Sequence, residues 1–193
     1  QAGMKGLKYA ASKGLAVVIM EPLLGGRLAN PPKDVRTIME EADPGKSPVG
    51  WALDWLWNQP EVSVVLSGMS TIRQVEENIA LAAKSGVGKL GKRELDVVSR
   101  VRKKYGERAA IPCTGCGYCV PCPSNVAIPR NFSIYNDGVI HDDLDGARIA
   151  YNNFFSKENH ASNCVKCGAC EEKCPQGIEI MDWLEKVDKA LSK

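Results

Sequence analysis

The placement of the cysteines constrains this chain more than any other sequence feature. All eight cysteines lie within residues 113–174, and the first 112 of the 193 residues contain none. They form two runs, IPCTGCGYCVPCP and NCVKCGACEEKCP. The cysteines are Cys113, Cys116, Cys119 and Cys122 in the first run, and Cys164, Cys167, Cys170 and Cys174 in the second. Composition therefore divides the chain, and we predict one domain over residues 1–110 and a second over 111–193.

The spacing within each run favours iron–sulfur clusters. The second run matches C-x2-C-x2-C-x3-C-P, and the first differs in closing with x2. Three thiolates at this spacing can wrap one face of a [4Fe–4S] cubane, and the proline turns the chain away after the fourth cysteine. In two-cluster ferredoxins that fourth cysteine ligates the other cluster, so crossed ligation is predicted. The predicted ligand sets are Cys113, Cys116, Cys119 and Cys174 for one cluster, and Cys164, Cys167, Cys170 and Cys122 for the other.

Two other roles of the cysteines compete with this interpretation. Structural zinc needs only four tetrahedral thiolates for each site, and disulfides need an oxidising compartment. Zinc ribbons usually present two separated C-x2-C pairs, whereas each run here is a quartet followed by proline. A chain with 44% apolar residues can form a hydrophobic core and does not need disulfide bonds to fold.

Charge and hydropathy limit the function classes. The 25 Lys and Arg residues against 23 Asp and Glu leave a net charge of +2, which argues against a dedicated nucleic-acid binder. Apolar runs such as Leu15–Met20 are far shorter than the roughly 20 residues that cross a bilayer, so no membrane partner is predicted. Cluster chemistry and the lack of a visible export signal predict a reducing, cytoplasmic location.

Apolar runs and helix-start signals alternate in the first 110 residues. The runs Leu15–Met20 and Val62–Leu66 predict two strands, and their lack of polar alternation predicts a parallel sheet buried on both faces. Ser47, followed by proline, predicts the start of a helix, and Thr71 with Gln74 predicts a capping box. This order of strands and helix starts is typical of a βαβα segment.

The second half of the chain predicts helices around the two cysteine runs. Apolar residues between the runs recur at roughly helical spacing. After the second run, Ile180, Leu184, Val187 and Leu191 form one apolar stripe, which predicts a packed amphipathic helix.

Three stretches of the first half carry a family resemblance. GLAVVIMEPLLGGRLA, SPVGWALDWLW and VSVVLSGMSTIRQVEENIALA resemble the last two βα units of the aldo/keto reductase family, and the Cys-rich tail resembles the ferredoxin extension of one branch of it. The resemblance implies an α/β plus all-α fold, in which the last two βα units of a TIM barrel precede a helical two-cluster ferredoxin domain. It also implies NADP(H) at the barrel mouth. The residues that it assigns to this cofactor are Leu23, Gly26, Leu28, Gly68, Ser70, Thr71, Gln74, Glu77 and Asn78.

The function expected from both halves is that of an iron–sulfur oxidoreductase, with two [4Fe–4S] clusters for electron transfer and part of a nicotinamide site. The catalytic Asp, Tyr, Lys and His of the family belong to barrel strands outside this sequence, so no catalytic residue is assigned. The expected partners are the N-terminal part of the barrel and a redox protein or a small-molecule substrate. Two alternatives stay open: the clusters are purely structural, or the chain is a ferredoxin-like electron carrier that works alone.

Overall fold

The computed structural model describes residues 3–192, which are mostly helical. Contacts divide the chain into two compact units, Gln1–Lys104 and Tyr105–Lys193. In chain order the α-helices are α1 (Gly3–Ser12), α2 (Lys33–Ala42), α3 (Pro48–Trp57), α4 (Ile72–Ala82), α5 (Lys92–Glu107), α6 (Ile128–Ile140), α7 (Leu144–Phe154) and α8 (Ile180–Leu191). Two short 3-10 helices, Lys157–Asn159 and Ala161–Asn163, precede the second cysteine run.

Side-chain caps begin two helices of the first unit, as the sequence predicts. Ser47 Oγ accepts a hydrogen bond from the Gly50 amide at 3.1 Å, which satisfies a free N–H of α3. At α4 the Gln74 amide donates to Thr71 Oγ1 at 3.3 Å, and Gln74 Oε1 accepts from the Thr71 amide at 3.2 Å. This reciprocal pair is a capping box. The apolar core of the unit includes Val35, Met39, Trp51, Leu53, Leu90 and Val97.

The sheet of the first unit is much smaller than predicted. Strands β1 (Val18–Ile19) and β2 (Val64–Val65) are parallel, with Val18 opposite Val64. Each strand has two residues, and Val18 and Val64 are about half exposed, so the prediction of strands buried on both faces is wrong. The predicted TIM-barrel remnant is also wrong for the described residues, because two such strands form only an isolated ribbon.

The second unit has a continuous apolar core between α6, α7 and α8. The predicted stripe on α8 is buried in full, with Ile180, Leu184, Val187 and Leu191 each 1% exposed or less. Phe132 and Ile134 of α6 pack in the same cluster. A helical ferredoxin-like domain fits this half of the chain.

Polar contacts of α7 fix the arrangement of this unit. Arg148 Nε donates to the Ala190 carbonyl and Asn152 Nδ2 to the Leu191 carbonyl, both at 2.8 Å, so α7 satisfies backbone groups at the end of α8. The fully buried Tyr151 accepts a hydrogen bond at its hydroxyl from the Ala161 amide at 2.8 Å, three residues before the second cysteine run. The core of the unit is therefore tied directly to that run.

Among residues 3–192, no helix combines the length and the apolar character needed to cross a bilayer.

Candidate metal centre

Four cysteines from both runs surround one pocket. Its wall contains Cys113, Cys116 and Cys119 of the first run, together with Cys174, the last cysteine of the second. The remaining wall is largely apolar and includes Ile128, Phe132, Ile178 and Ile180. This is the residue set that the crossed spacing predicts for one cluster.

A second pocket has the reciprocal composition. Cys164, Cys167 and Cys170 line it together with Cys122, the last cysteine of the first run. Cys119 also reaches its edge, and Leu184 of α8 supplies apolar wall. Ile128 lines both pockets, so the two sites are neighbours.

The two cysteine loops have left-handed residues at the same two positions. Gly115 precedes Cys116 with φ of 69°, and Lys166 precedes Cys167 with φ of 54°, so both lie in the left-handed region. Gly117 and Gly168 follow those cysteines with φ of 81° and 79°. The left-handed residues let each loop curl tightly, which brings its three cysteines to one side.

The segments after the two runs repeat as well. The amide of Asn125 donates to the Cys122 carbonyl at 3.0 Å, and the amide of Gly177 donates to the Cys174 carbonyl at 3.2 Å. Asn125 and Gly177 both have φ of 61°. Helices α6 and α8 then begin at isoleucines six residues beyond the fourth cysteines. The second unit therefore contains two copies of one cysteine-loop–turn–helix motif, each closing the pocket of the other.

Burial sets the proton affinity of the innermost thiols. Removal from water raises the pKa of the Cys119 thiol above its ordinary value, and Cys113, Cys116 and Cys174 raise it further. Burial raises the pKa of Cys170 to about 11, with Glu171, Cys164 and Cys119 adding to the effect. These thiols are protonated at neutral pH in the metal-free chain, so metal binding must release protons.

The donor chemistry of both pockets fits a [4Fe–4S] cluster. Each offers four thiols in a largely apolar wall, and all eight cysteines are free rather than joined in disulfides. Within residues 3–192, no group of three or more His, Cys, Asp or Glu side chains is arranged to hold a single metal ion.

The residues assigned to nicotinamide lie in the first unit, around a cleft of about 610 Å³. Seven of the nine line it: Leu23, Gly26, Gly68, Ser70, Gln74, Glu77 and Asn78. Leu28 and Thr71 do not, and the Thr71 hydroxyl caps α4 instead. The cleft wall includes Glu21 and Glu77 and, among the residues that the structure describes, no Lys or Arg, so a phosphate bound there would rely on backbone N–H groups rather than on a cation.

Phe132 and Leu184, which the sequence predicts as apolar helix residues around the clusters, each line one of the pockets. Sequence patterns did not single out Ile128, which lines both pockets, or the repeat beyond the cysteines. The signal that could have found them is Cys-Pro-x4-Ile, which occurs as CPSNVAI and again as CPQGIEI.

Comparisons with known proteins agree with the cysteine sites. Residues 112–179 match the sequence model of the 4Fe-4S dicluster domain, so this part of the chain is an iron–sulfur segment. At the level of whole proteins, the chain is similar to the sulfhydrogenase 2 subunit beta of Pyrococcus furiosus, with 27% identity over 184 residues. The match covers 75% of this chain and 54% of the relative, so the chain spans about half the length of that curated relative. No solved structure matches the chain.

These findings correct the family prediction made for the first half of the chain. The matches are to an iron–sulfur domain and to a sulfhydrogenase subunit, so the predicted membership of the aldo/keto reductase family is wrong. Its motifs were short apolar runs and helix starts, which many helical proteins share. The comparisons likewise give no support to NADP(H), to a missing barrel half or to a small-molecule substrate.

Proposed function

We propose that the second unit, from about residue 111 onward, holds two [4Fe–4S] clusters and transfers single electrons between redox partners. The observation that carries this proposal is the pair of adjacent pockets, each lined by three cysteines of one run and the fourth of the other, with Cys119 also lining the second pocket. Each bound cluster supplies a centre that accepts and releases one electron.

The residues of the chain would do three things in this function. The eight thiolates hold the clusters in the crossed sets, with Cys174 and Cys122 as the exchanged ligands. The apolar side chains of α6 and α8 keep water from the inner face of each pocket. The outer cysteines Cys116 and Cys167 are exposed, so electrons can enter and leave near the surface.

The relative suggests the kind of partner. Because it is described as a subunit, we infer that this chain works beside another redox protein. Cluster ligation by free thiols favours a reducing, cytoplasmic setting. Purely structural clusters are the alternative, and the property that distinguishes them is reversible reduction. An electron carrier needs it, whereas a structural cluster does not.

Anaerobic purification followed by a redox titration tests this function. We expect about eight iron and eight acid-labile sulfide per chain, and both clusters should be reduced and reoxidised reversibly in an EPR-monitored titration. A colourless protein that contains zinc would contradict the cluster assignment. Clusters that are present but stay oxidised at low potential would support the structural role instead.

A second candidate function is nucleotide binding in the cleft of the first unit. The observation in its favour is that the cleft lies where the chain leaves β1 and β2, the edge at which parallel sheets commonly bind ligands. If it binds NADP(H), NADPH fluorescence should rise to saturation on titration, and Gly68→Trp should abolish the rise by filling the cleft. A fluorescence signal that rises linearly with added NADPH, without saturation, would contradict nucleotide binding and leave electron transfer as the proposed function.

A further inference from the structure

A groove of about 270 Å³ lies beside the first cysteine loop. One wall is the loop itself, from Cys113 to Gly115, and the other is α6, with Pro129, Ser133 and Asp137. The groove therefore leads from the surface directly to Cys113, a ligand of the first proposed cluster. Ser133 and Asp137 are exposed, and among residues 3–192 neither Lys nor Arg lines the groove.

The second copy of the cysteine-loop–turn–helix motif shows which side chain occupies the position that corresponds to this groove. By the matching loops and helix starts, Gly115 corresponds to Lys166 and Ser133 to Glu185. Lys166 extends from the second loop to α8, where its Nζ donates to Glu185 Oε2 at 2.7 Å. A lysine side chain thus joins the second cysteine loop to α8. At the corresponding position of the first loop Gly115 has no side chain, and the groove is open.

We propose that this groove is the docking point for the redox partner, and that it accepts a lysine or arginine side chain of that partner protein. The inference rests on the proposed electron-transfer function. The cation of the partner would lie between loop and helix, as Lys166 does in the second copy of the motif. The Asp137 carboxylate and the Ser133 hydroxyl would accept its hydrogen bonds. Its backbone would then be beside Cys113, which gives the partner a short path to the first cluster.

Charge complementarity favours a protein cation here. Asp137 gives the groove a negative charge, while the corresponding residue of α8, Lys189, donates to Glu185 at 2.6 Å and belongs to a closed ion-pair network. Of the two copies of the motif, both within the described residues, the first therefore offers an open groove and an acceptor that is not paired with a lysine of its own loop. The second loop is expected to make no such contact.

The test uses the full chain with both clusters and cytochrome c, a lysine-rich haem protein, as the probe. Affinity is measured first by calorimetry with both proteins oxidised, so that no electron moves. Asp137→Asn should weaken binding about two- to fivefold, the size expected for one exposed ion pair. Gly115→Lys should weaken it similarly, because the new side chain fills the groove as Lys166 does. Glu172→Gln removes one exposed carboxylate of the second run that does not line the groove, and it should leave the affinity unchanged.

Electron transfer is measured next, from the reduced chain to ferric cytochrome c. One electron leaves a reduced cluster and reduces the haem iron from Fe(III) to Fe(II). The rate at low protein concentration should fall in Asp137→Asn by the same factor as the affinity, and acetylation of the cytochrome c lysines should remove the difference between variants.

Equal effects of Asp137→Asn and Glu172→Gln would overturn the groove assignment, as would the absence of cytochrome c binding by the unmodified chain. Both results leave the proposed function intact if the clusters still titrate reversibly. Clusters that cannot be reduced at all would instead overturn the proposed function itself.

Discussion

A chain with both Cys116 and Cys174 replaced by serine is expected to keep about half of its iron, whereas one with Cys116 and Cys122 replaced should lose nearly all of it. The reason is the crossed composition of the pockets: Cys116 and Cys174 line the same one, and Cys122 lines the other. The measurement is iron and sulfide content after anaerobic purification.

The single variants Cys116→Ser, Cys122→Ser and Cys174→Ser provide the reference values. If each run held its own cluster, the result would be reversed, and the pair Cys116 and Cys122 would cost no more iron than Cys116 alone. Both double variants remove two thiols from the chain. A general loss of stability therefore cannot produce opposite iron contents in the two.

Truncation of Tyr151 should strongly destabilise the second unit. Tyr151→Ala removes a fully buried ring and should lower the free energy of unfolding by about 3–5 kcal/mol. Tyr151→Phe keeps the ring but leaves the Ala161 amide without its acceptor, which should cost about 1–3 kcal/mol. Urea unfolding of the loaded chain under anaerobic conditions measures both.

Tyr151 also predicts a pH dependence. Burial, with a smaller contribution from the charge of Asp188, raises the pKa of Tyr151 from 10.0 to about 12. The folded chain holds this proton more tightly than the unfolded chain. The resulting stability is complete below pH 10 and is lost as the pH rises towards 12. Tyr151→Phe should flatten this part of the stability curve, and Tyr118→Phe, at an exposed tyrosine, is the matched control. An unchanged alkaline slope in Tyr151→Phe would contradict the assignment.

The sequence predicted the parts of the structure that depend on local spacing. The caps at Ser47 and Thr71 and the buried stripe of α8 are confirmed, because each needs only a few residues of one segment. The pockets contain the cysteines in the predicted crossed grouping. Their role as ligands stays a prediction.

The errors occurred where a short pattern has several structural solutions. Leu15–Met20 is an apolar run that suits a buried strand, yet only Val18–Ile19 pairs, and Met20 is 74% exposed. Ile72 and Ile79 on α4 have helical spacing but are also mostly exposed. Spacing gives the shape of a segment, whereas burial depends on what the rest of the fold places against it.

The apolar wall formed by Ile128 has a consequence for how this chain can change. Its side chain lines both cysteine pockets, so a mutation of Ile128 that lets water into one pocket also changes the solvent exposure of the other. The two pockets thus share one dielectric boundary, and the polarity of one cannot be altered there without altering that of the other.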